Sequence, residues 1–434
     1  MSALPASATV RRHAAAVAPV AVGLVLVGVA AYGILALAVR ALTPRDYAAV
    51  AATYFLITIA GTGVFTAVEQ ETNRAISGRS VGARADESIG AAGVVAAALA
   101  LLVAGAALLL GPVLVDRVLA GHQALLWCLV LGIAGAAALS VLRGVYGGAG
   151  RYGWYASTVA GEGLGRLVPV AVLVAVGALT AALIGGAFAI GTVLATTATA
   201  VGLRRCGLRI RRPSSGSLKA LGAGVLLLVG ASTLTFFMAN MAPVAVTARV
   251  PADPAIAASF ASAAVLSRVP LFLFSPAQAF LLPPLTRAAG ERDTSRLRRH
   301  LRGVLAMVTA FGACAVGATA ALGPAVSSIA FAAPIDLSHG LFAAMALGTA
   351  LTLVAQVLQP ALVAMGLHRA ATAAWVVGAA VFTVLLVLPG EAVTLAVVAQ
   401  VIGPVMVVAV MGAVLVRRVR SWERAAAESV TADG

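Results

Sequence analysis

The stretch FASAAVLSRVPLFLFSPAQAFLLPPL, Phe260–Leu285, is apolar apart from one charge, Arg268. Roughly 20 apolar residues carry a helix across the hydrocarbon core of a bilayer, so this segment reads as a membrane span. A guanidinium within it costs at least ~2.5–3.5 kcal/mol on insertion scales, and charges kept at that depth face an internal cavity and serve a pathway. No acid lies within the spans of the second half of the chain to pair with it. The expected partner is an anion that arrives from outside the protein.

The rest of the chain is built the same way. Of 434 residues, 61% are hydrophobic and 10% charged, with a mean hydropathy of +1.03. Such a composition excludes a soluble globular domain. Apolar runs of spanning length recur at about 14–38, 47–76, 89–115, 122–147, 155–176, 180–203, 221–248, 254–285, 303–323, 338–365, 370–388 and 392–416. The expected fold class is an all-α integral membrane protein of about twelve transmembrane helices. Segment 14–38 is too long for a signal peptide and lacks a small-residue cleavage site, so it reads as the first, uncleaved helix.

A net charge of +15 would suit a nucleic-acid partner, but the distribution of the arginines argues against one. With the N-terminus placed in the cytoplasm, the inside segments hold 24 of the 30 Lys+Arg. Only Arg40, Arg45, Arg117 and Arg249 fall outside, and Arg166 and Arg268 lie within spans. The positive-inside rule produces this asymmetry, and it predicts cytoplasmic termini. Cys128, Cys206 and Cys314 show neither pairing nor metal spacing and are expected as free thiols.

A basic loop, RRCGLRIRRPSSGSLK at 204–219, divides the spans six and six. The halves share a pattern: Pro44-x-Asp46-x-Ala48 corresponds to Pro251-x-Asp253-x-Ala255, each copy following an arginine, Arg40 or Arg249. A proline in the outer loop and an aspartate as N-cap also give this pattern a local reason. Both halves start inside, so the repeat is parallel. It predicts two six-helix lobes, 1–203 and 221–416, related by a pseudo-two-fold along the membrane normal, with an inter-lobe loop 204–220 and a cytoplasmic tail 417–434. The second helix, Asp46 to about Ser77, would run ~48 Å and must tilt, project, or kink at Gly61-Thr62-Gly63. The eighth carries Pro270, Pro276, Pro283 and Pro284 and is expected to bend.

Several polar residues at membrane depth are candidates for substrate binding. Glu162 and Arg166 in GEGLGR are four apart on one helix face, and Gly161, Gly163 and Gly165 thin the backbone there. They line a cavity or form a self-neutralising pair, and Glu162 is also a candidate for proton exchange. Guanidinium groups make bidentate contacts to phosphate, so Arg166 and Arg268 together suit a pyrophosphate. Asn240, Gln356 and Gln359 are amides at depth that serve either as helix–helix glue or as contacts to sugar hydroxyls. Glu69, Glu71 and Arg74, ~35 Å along the second helix, form either a solvated cluster or a cytoplasmic gate. No metal site and no catalytic triad is evident. The Walker A motif is missing too, so no cofactor is expected beyond a coupling ion, H+ or Na+.

Four segments carry a family resemblance: LTPRDYAAVAATYFLI at 42–57, SRVPLFLFSPAQAFLLPPLTRAAGERD at 267–293, and the turns GAGRYGWYAS at 148–157 and AMGLHRAATA at 364–373. Their order is similar to that in flippases exporting lipid-linked polysaccharide units, the Wzx-like branch of the MOP superfamily that also includes MATE exporters. Thr43 stands where the family usually has glycine, and alanine follows Tyr47 where glycine is common. The resemblance implies a multi-pass protein of the bacterial cytoplasmic (inner) membrane. Its cargo would be a polyprenyl-pyrophosphate-linked oligosaccharide, flipped by alternating access. Membrane lipid surrounds such a protein, and glycosyltransferases or a polysaccharide polymerase are its expected partners. The alternatives are an ion-coupled multidrug antiporter of the MATE type, which would want unpaired carboxylates at depth, and a non-transporting scaffold for glycan assembly. An integral membrane enzyme is disfavoured, because Asp46, Asp116, Asp253 and Asp336 are scattered.

Overall fold

The computed structural model describes residues 6–77, 83–274, 287–291 and 293–432, and among these the regular structure is helical throughout. Pro276, Pro283 and Pro284, expected on the eighth helix, lie outside the described residues. Twelve helices among the described residues are long and apolar enough to cross a membrane, each a counterpart of a span expected from the sequence. In chain order the helices are α1 (Ala6–Ala41), α2 (Pro44–Ile57), α3 (Val64–Ile76), α4 (Ala83–Leu109), α5 (Gly111–Arg117), α6 (Gln123–Gly148) and α7 (Tyr152–Ala175). They continue with α8 (Ala181–Arg205), α9 (Ser215–Arg249), α10 (Pro254–Ser267), α11 (Thr294–Phe331), α12 (His339–Ala364), α13 (His368–Val387) and α14 (Ala392–Ala432).

Helix starts follow local chemistry. Thr43 caps α2, its hydroxyl accepting from the Asp46 N–H at 3.2 Å, and Pro44 takes the first helical position, where a missing N–H is harmless. Asp46 is therefore not the N-cap the sequence pattern suggested. In the second copy Asp253 does cap, accepting from the Ile256 N–H at 3.3 Å, and Pro254 leads α10. The proline that opens the helix comes before the aspartate in one copy and after it in the other. The turns after α6 and α12 each hinge on a glycine with positive φ, Gly150 at 67° and Gly366 at 75°. The third expected span breaks at Leu110, where Gly111-Pro112 restarts the chain as α5. At the C-terminus no glycine or proline interrupts residues 413–432, and α14 runs on through the expected tail.

The long second span carries a π-helical turn at Thr58–Gly63, where the glycines suggested a kink. The turn is packed from two sides. A Cβ on Gly61 would meet that of Ala136 on α6 at 3.0 Å, and one on Gly63 would meet that of Phe236 on α9 at 2.9 Å.

The chain divides into two compact units, Met1–Ser262 with Ser328–Ile335, and Ala263–Ser327 with Asp336–Gly434. Within the first unit, α7 packs between α1 and α8, while α6 packs on α3, α4 and α8. Helix α9 lies against α2, the π turn, α3 and α4. Phe55, Phe65, Phe188 and Tyr146 are fully buried there. One end of this unit is tied by polar contacts across elements. Arg40 donates to the carbonyls of Ile329 and Ala330, Tyr47 hydrogen-bonds Ser262 at 3.0 Å, and the Ile335 N–H donates to Ser259 at 2.9 Å. Within the second unit, α14 packs against α12 and α13. Cys128, Cys206 and Cys314 are free thiols.

Candidate functional site

The GEGLGR segment lies in the middle of α7, and its glycines let neighbouring helices come close. A Cβ on Gly163 would lie 3.2 Å from the Val27 backbone of α1, and one on Gly165 would lie 2.9 Å from the Gly191 carbonyl of α8. Gly191 is required in turn, because a Cβ there would fall 2.3 Å from Cγ of Arg166. Glu162 and Arg166, each 7% exposed, are thus enclosed between three helices.

Glu162 anchors the site. One carboxylate oxygen accepts from Arg166, one turn along the same helix, and the other accepts from Nη2 of Arg143 on α6 at 2.6 Å. Two guanidinium groups therefore converge on one carboxylate in a dry setting, where charge-assisted hydrogen bonds are strong. Arg143 is steadied by its Nε, which donates to the Thr158 hydroxyl at 3.3 Å. Arg166 also lies over the Phe188 ring, 6.0 Å from its centroid. Its Nε–H is buried and finds no acceptor among the described residues.

The expected trio at the end of the second span separates. Residues two apart point ~200° away from each other on a helix, so Glu69 and Glu71 cannot share a face. Glu69, half-buried, accepts from the Tyr155 hydroxyl at 2.7 Å and so joins the α6–α7 cluster. Glu71 is buried and pairs with Arg74 through two hydrogen bonds, 2.8 and 2.5 Å. Its carboxylate lies against the backbone of α9, where a Cβ on Gly224 would come within 2.3 Å.

Among the amides, Asn240 is buried on α9 and donates to the Phe236 carbonyl one turn earlier at 2.8 Å. In the second unit, Gln359 of α12 accepts from the indole N–H of Trp375 on α13 at 2.9 Å, a helix-to-helix tie. Gln356 is half-buried on α12. Arg268, 6% exposed, follows the last residue of α10 and belongs to the second unit.

Arg143, Tyr155 and Thr158 were not among the candidates read from the sequence. Arg143 had been counted with the positive charges of an inside segment, being only five residues from the end of α6. A usable signal existed. In a helical hairpin that turns at Gly150, residues 143 and 158 lie seven and eight residues from the turn, so they come nearly level with each other across the two helices.

No family model matches the chain, and none of the curated proteins matches it in sequence. Solved structures do match in shape. An inward-facing multidrug resistance MATE family transporter of the MOP superfamily superposes with a TM-score of 0.73 at 14% identity, covering 93% of this chain and 99% of its own. A eukaryotic MATE transporter gives 0.67 at 12% identity, covering 95% and 98%. The fold is MATE-like. An outward-facing MATE family transporter is also similar, with a TM-score of 0.59 at 14% identity over 94% and 96%. The MATE-like fold thus accounts for nearly the whole chain.

Proposed function

We propose that this chain is a flippase. It moves a polyprenyl-pyrophosphate-linked oligosaccharide across the bacterial cytoplasmic membrane by alternating access, for cell-surface polysaccharide biosynthesis. The observation that carries this reading is the charge arrangement on α7. Arg166 is fixed by Glu162 and backed by Arg143, and its buried Nε–H finds no acceptor among the described residues. A phosphate oxygen satisfies such a donor, and a guanidinium already oriented by a carboxylate binds with little loss of rotamer freedom. Asn240, buried in the same unit, is the proposed contact toward the sugars. The lobes 1–203 and 221–416 are the proposed moving bodies, and the Glu71–Arg74 pair the proposed cytoplasmic gate. The drive is an H+ or Na+ gradient, or consumption of the flipped product by a polymerase.

The competing reading is a multidrug antiporter, which the names of the similar structures favour. Attracting a cation calls for a carboxylate without a cationic or hydroxyl partner. In the first unit Glu69, Glu71 and Glu162 are all engaged by donor side chains. That supports the anionic cargo.

Reconstitution separates the two readings. In proteoliposomes containing a fluorescent polyprenyl-pyrophosphate-linked glycan, the flippase reading predicts time-dependent loss of headgroup accessibility to an external glycosidase. It predicts no proton-driven efflux of a cationic dye. Dye efflux without glycan movement reverses the assignment.

A further inference from the structure

Helix α11, which belongs to the second unit as far as Ser327, and helix α14 of the same unit run well past the length a bilayer needs. Helix α11 has 38 residues and α14 has 41, about 57 and 62 Å at 1.5 Å per residue, against a hydrocarbon core of ~30 Å. The excess is basic in both. Helix α11 opens with Arg296, Arg298, Arg299 and Arg302, and its apolar stretch begins at the next residue, Gly303. The apolar stretch of α14 ends at Val416 and is followed at once by Arg417, Arg418, Arg420 and Arg424.

The two basic ends meet. Arg298 donates to both oxygens of Glu423, at 2.6 and 2.8 Å, so α11 is held against α14 where both leave the apolar region. Arg296 is occupied by its neighbours Glu291 and Asp293. The other arginines of the two ends have no ion-pair partner among the described residues. Arg417, Arg420 and Arg424 are exposed and, three and four residues apart, form one stripe along α14. Arg299 and Arg302 are exposed on α11. Arg418 stacks on Trp422 at 5.5 Å, and its buried Nε–H finds no acceptor among the described residues.

Height identifies the partner. Arg302 and Arg417 adjoin the apolar stretches directly. Arg298 and Arg424 lie four and seven residues further out, roughly 6 and 10 Å. The headgroup layer beyond the hydrocarbon is itself some 5–8 Å deep. Arg298, Arg302, Arg417 and Arg420 therefore stand at the level of lipid phosphates, with Arg424 at the outer edge of that layer, and Trp422 is the kind of ring that settles at that interface. We infer that the joined ends of α11 and α14 form a binding surface for anionic phospholipid headgroups. An acidic protein would have to reach into the headgroup layer to meet the same residues.

The test uses the full-length protein in nanodiscs of phosphatidylcholine with and without phosphatidylglycerol, reading the number of phosphatidylglycerol molecules retained after detergent extraction, together with the melting midpoint. Each arginine near an anionic surface multiplies lipid partitioning by roughly five. The triple variant R417Q/R420Q/R424Q should lose at least ~10-fold in phosphatidylglycerol retention, along with the midpoint rise that this lipid gives the wild type. The corresponding triple lysine variant should keep most of both. Raising the salt to screen exposed charges should weaken retention by the wild type, a measurement that needs no variant to fold. Equal retention of the two lipids by the wild type, salt-insensitive retention, or full retention by the glutamine variant overturns the inference.

Discussion

Replacing Glu162 by glutamine removes one charge and almost no volume, so its effect is electrostatic rather than a matter of packing. The carboxylate is 7% exposed and holds Arg143 at 2.6 Å and Arg166 through a shorter contact. Removing one partner of a buried ion pair typically costs about 3–5 kcal/mol, because the other charge is left uncompensated in a poor solvent. Here two cations are left. The expected loss is accordingly about 3–5 kcal/mol, read as unfolding free energy in an SDS titration of the purified protein followed by tryptophan fluorescence. The variant with both Arg143→Gln and Glu162→Gln should be less destabilised than the two single losses combined, with a coupling of about 2 kcal/mol. A Glu162→Gln loss under ~0.5 kcal/mol, or strict additivity in the double variant, refutes the carboxylate-centred cluster.

Other substitutions check the packing around that cluster and beyond it. Gly191→Ala places a methyl group 2.3 Å from Cγ of Arg166 and should lower both melting midpoint and transport, whereas Gly153→Ala on the same hairpin meets nothing within 4 Å and should leave both unchanged. Gly224→Ala drives a methyl group into the Glu71 carboxylate and should cost about 1–3 kcal/mol in the same titration, with Gly222→Ala near neutral. Tyr155→Phe removes the donor to Glu69 and should cost about 1–3 kcal/mol. Trp375→Phe deletes the indole N–H that donates to Gln359 and should cost about 1 kcal/mol or more in the same titration.

The spans were legible because apolar length is a local property, and the lipid requirement leaves a helix as the way to satisfy the backbone of such a run. The Gly61–Gly63 feature could be read as a weak point, but its form as a π turn depends on Ala136 and Phe236 approaching from two other helices. Direction around a helix was harder to read. Glu69, Glu71 and Arg74 were grouped by their nearness in sequence, yet the 3.6-residue period sends Glu69 to Tyr155 and Glu71 to Arg74. Arg143 was lost to a counting rule that asks which side of the membrane a charge is on. It does not ask whether the long side chain turns back toward a carboxylate. Gly224 gave no signal at all, since the need for a missing side chain is visible only once Glu71 is seen pressing on α9.

Binding of the headgroup chemistry itself tests the central claim most directly. Purified protein in nanodiscs is titrated against a fluorescent polyprenyl pyrophosphate, with a cationic dye as comparator. The account predicts saturable pyrophosphate binding that weakens by roughly ten-fold or more in Arg166→Ala, the loss of a charge-assisted contact worth about 1.4 kcal/mol or above, and no comparable binding of the dye. Undiminished pyrophosphate binding by Arg166→Ala, or preferential binding of the dye by the wild type, contradicts it.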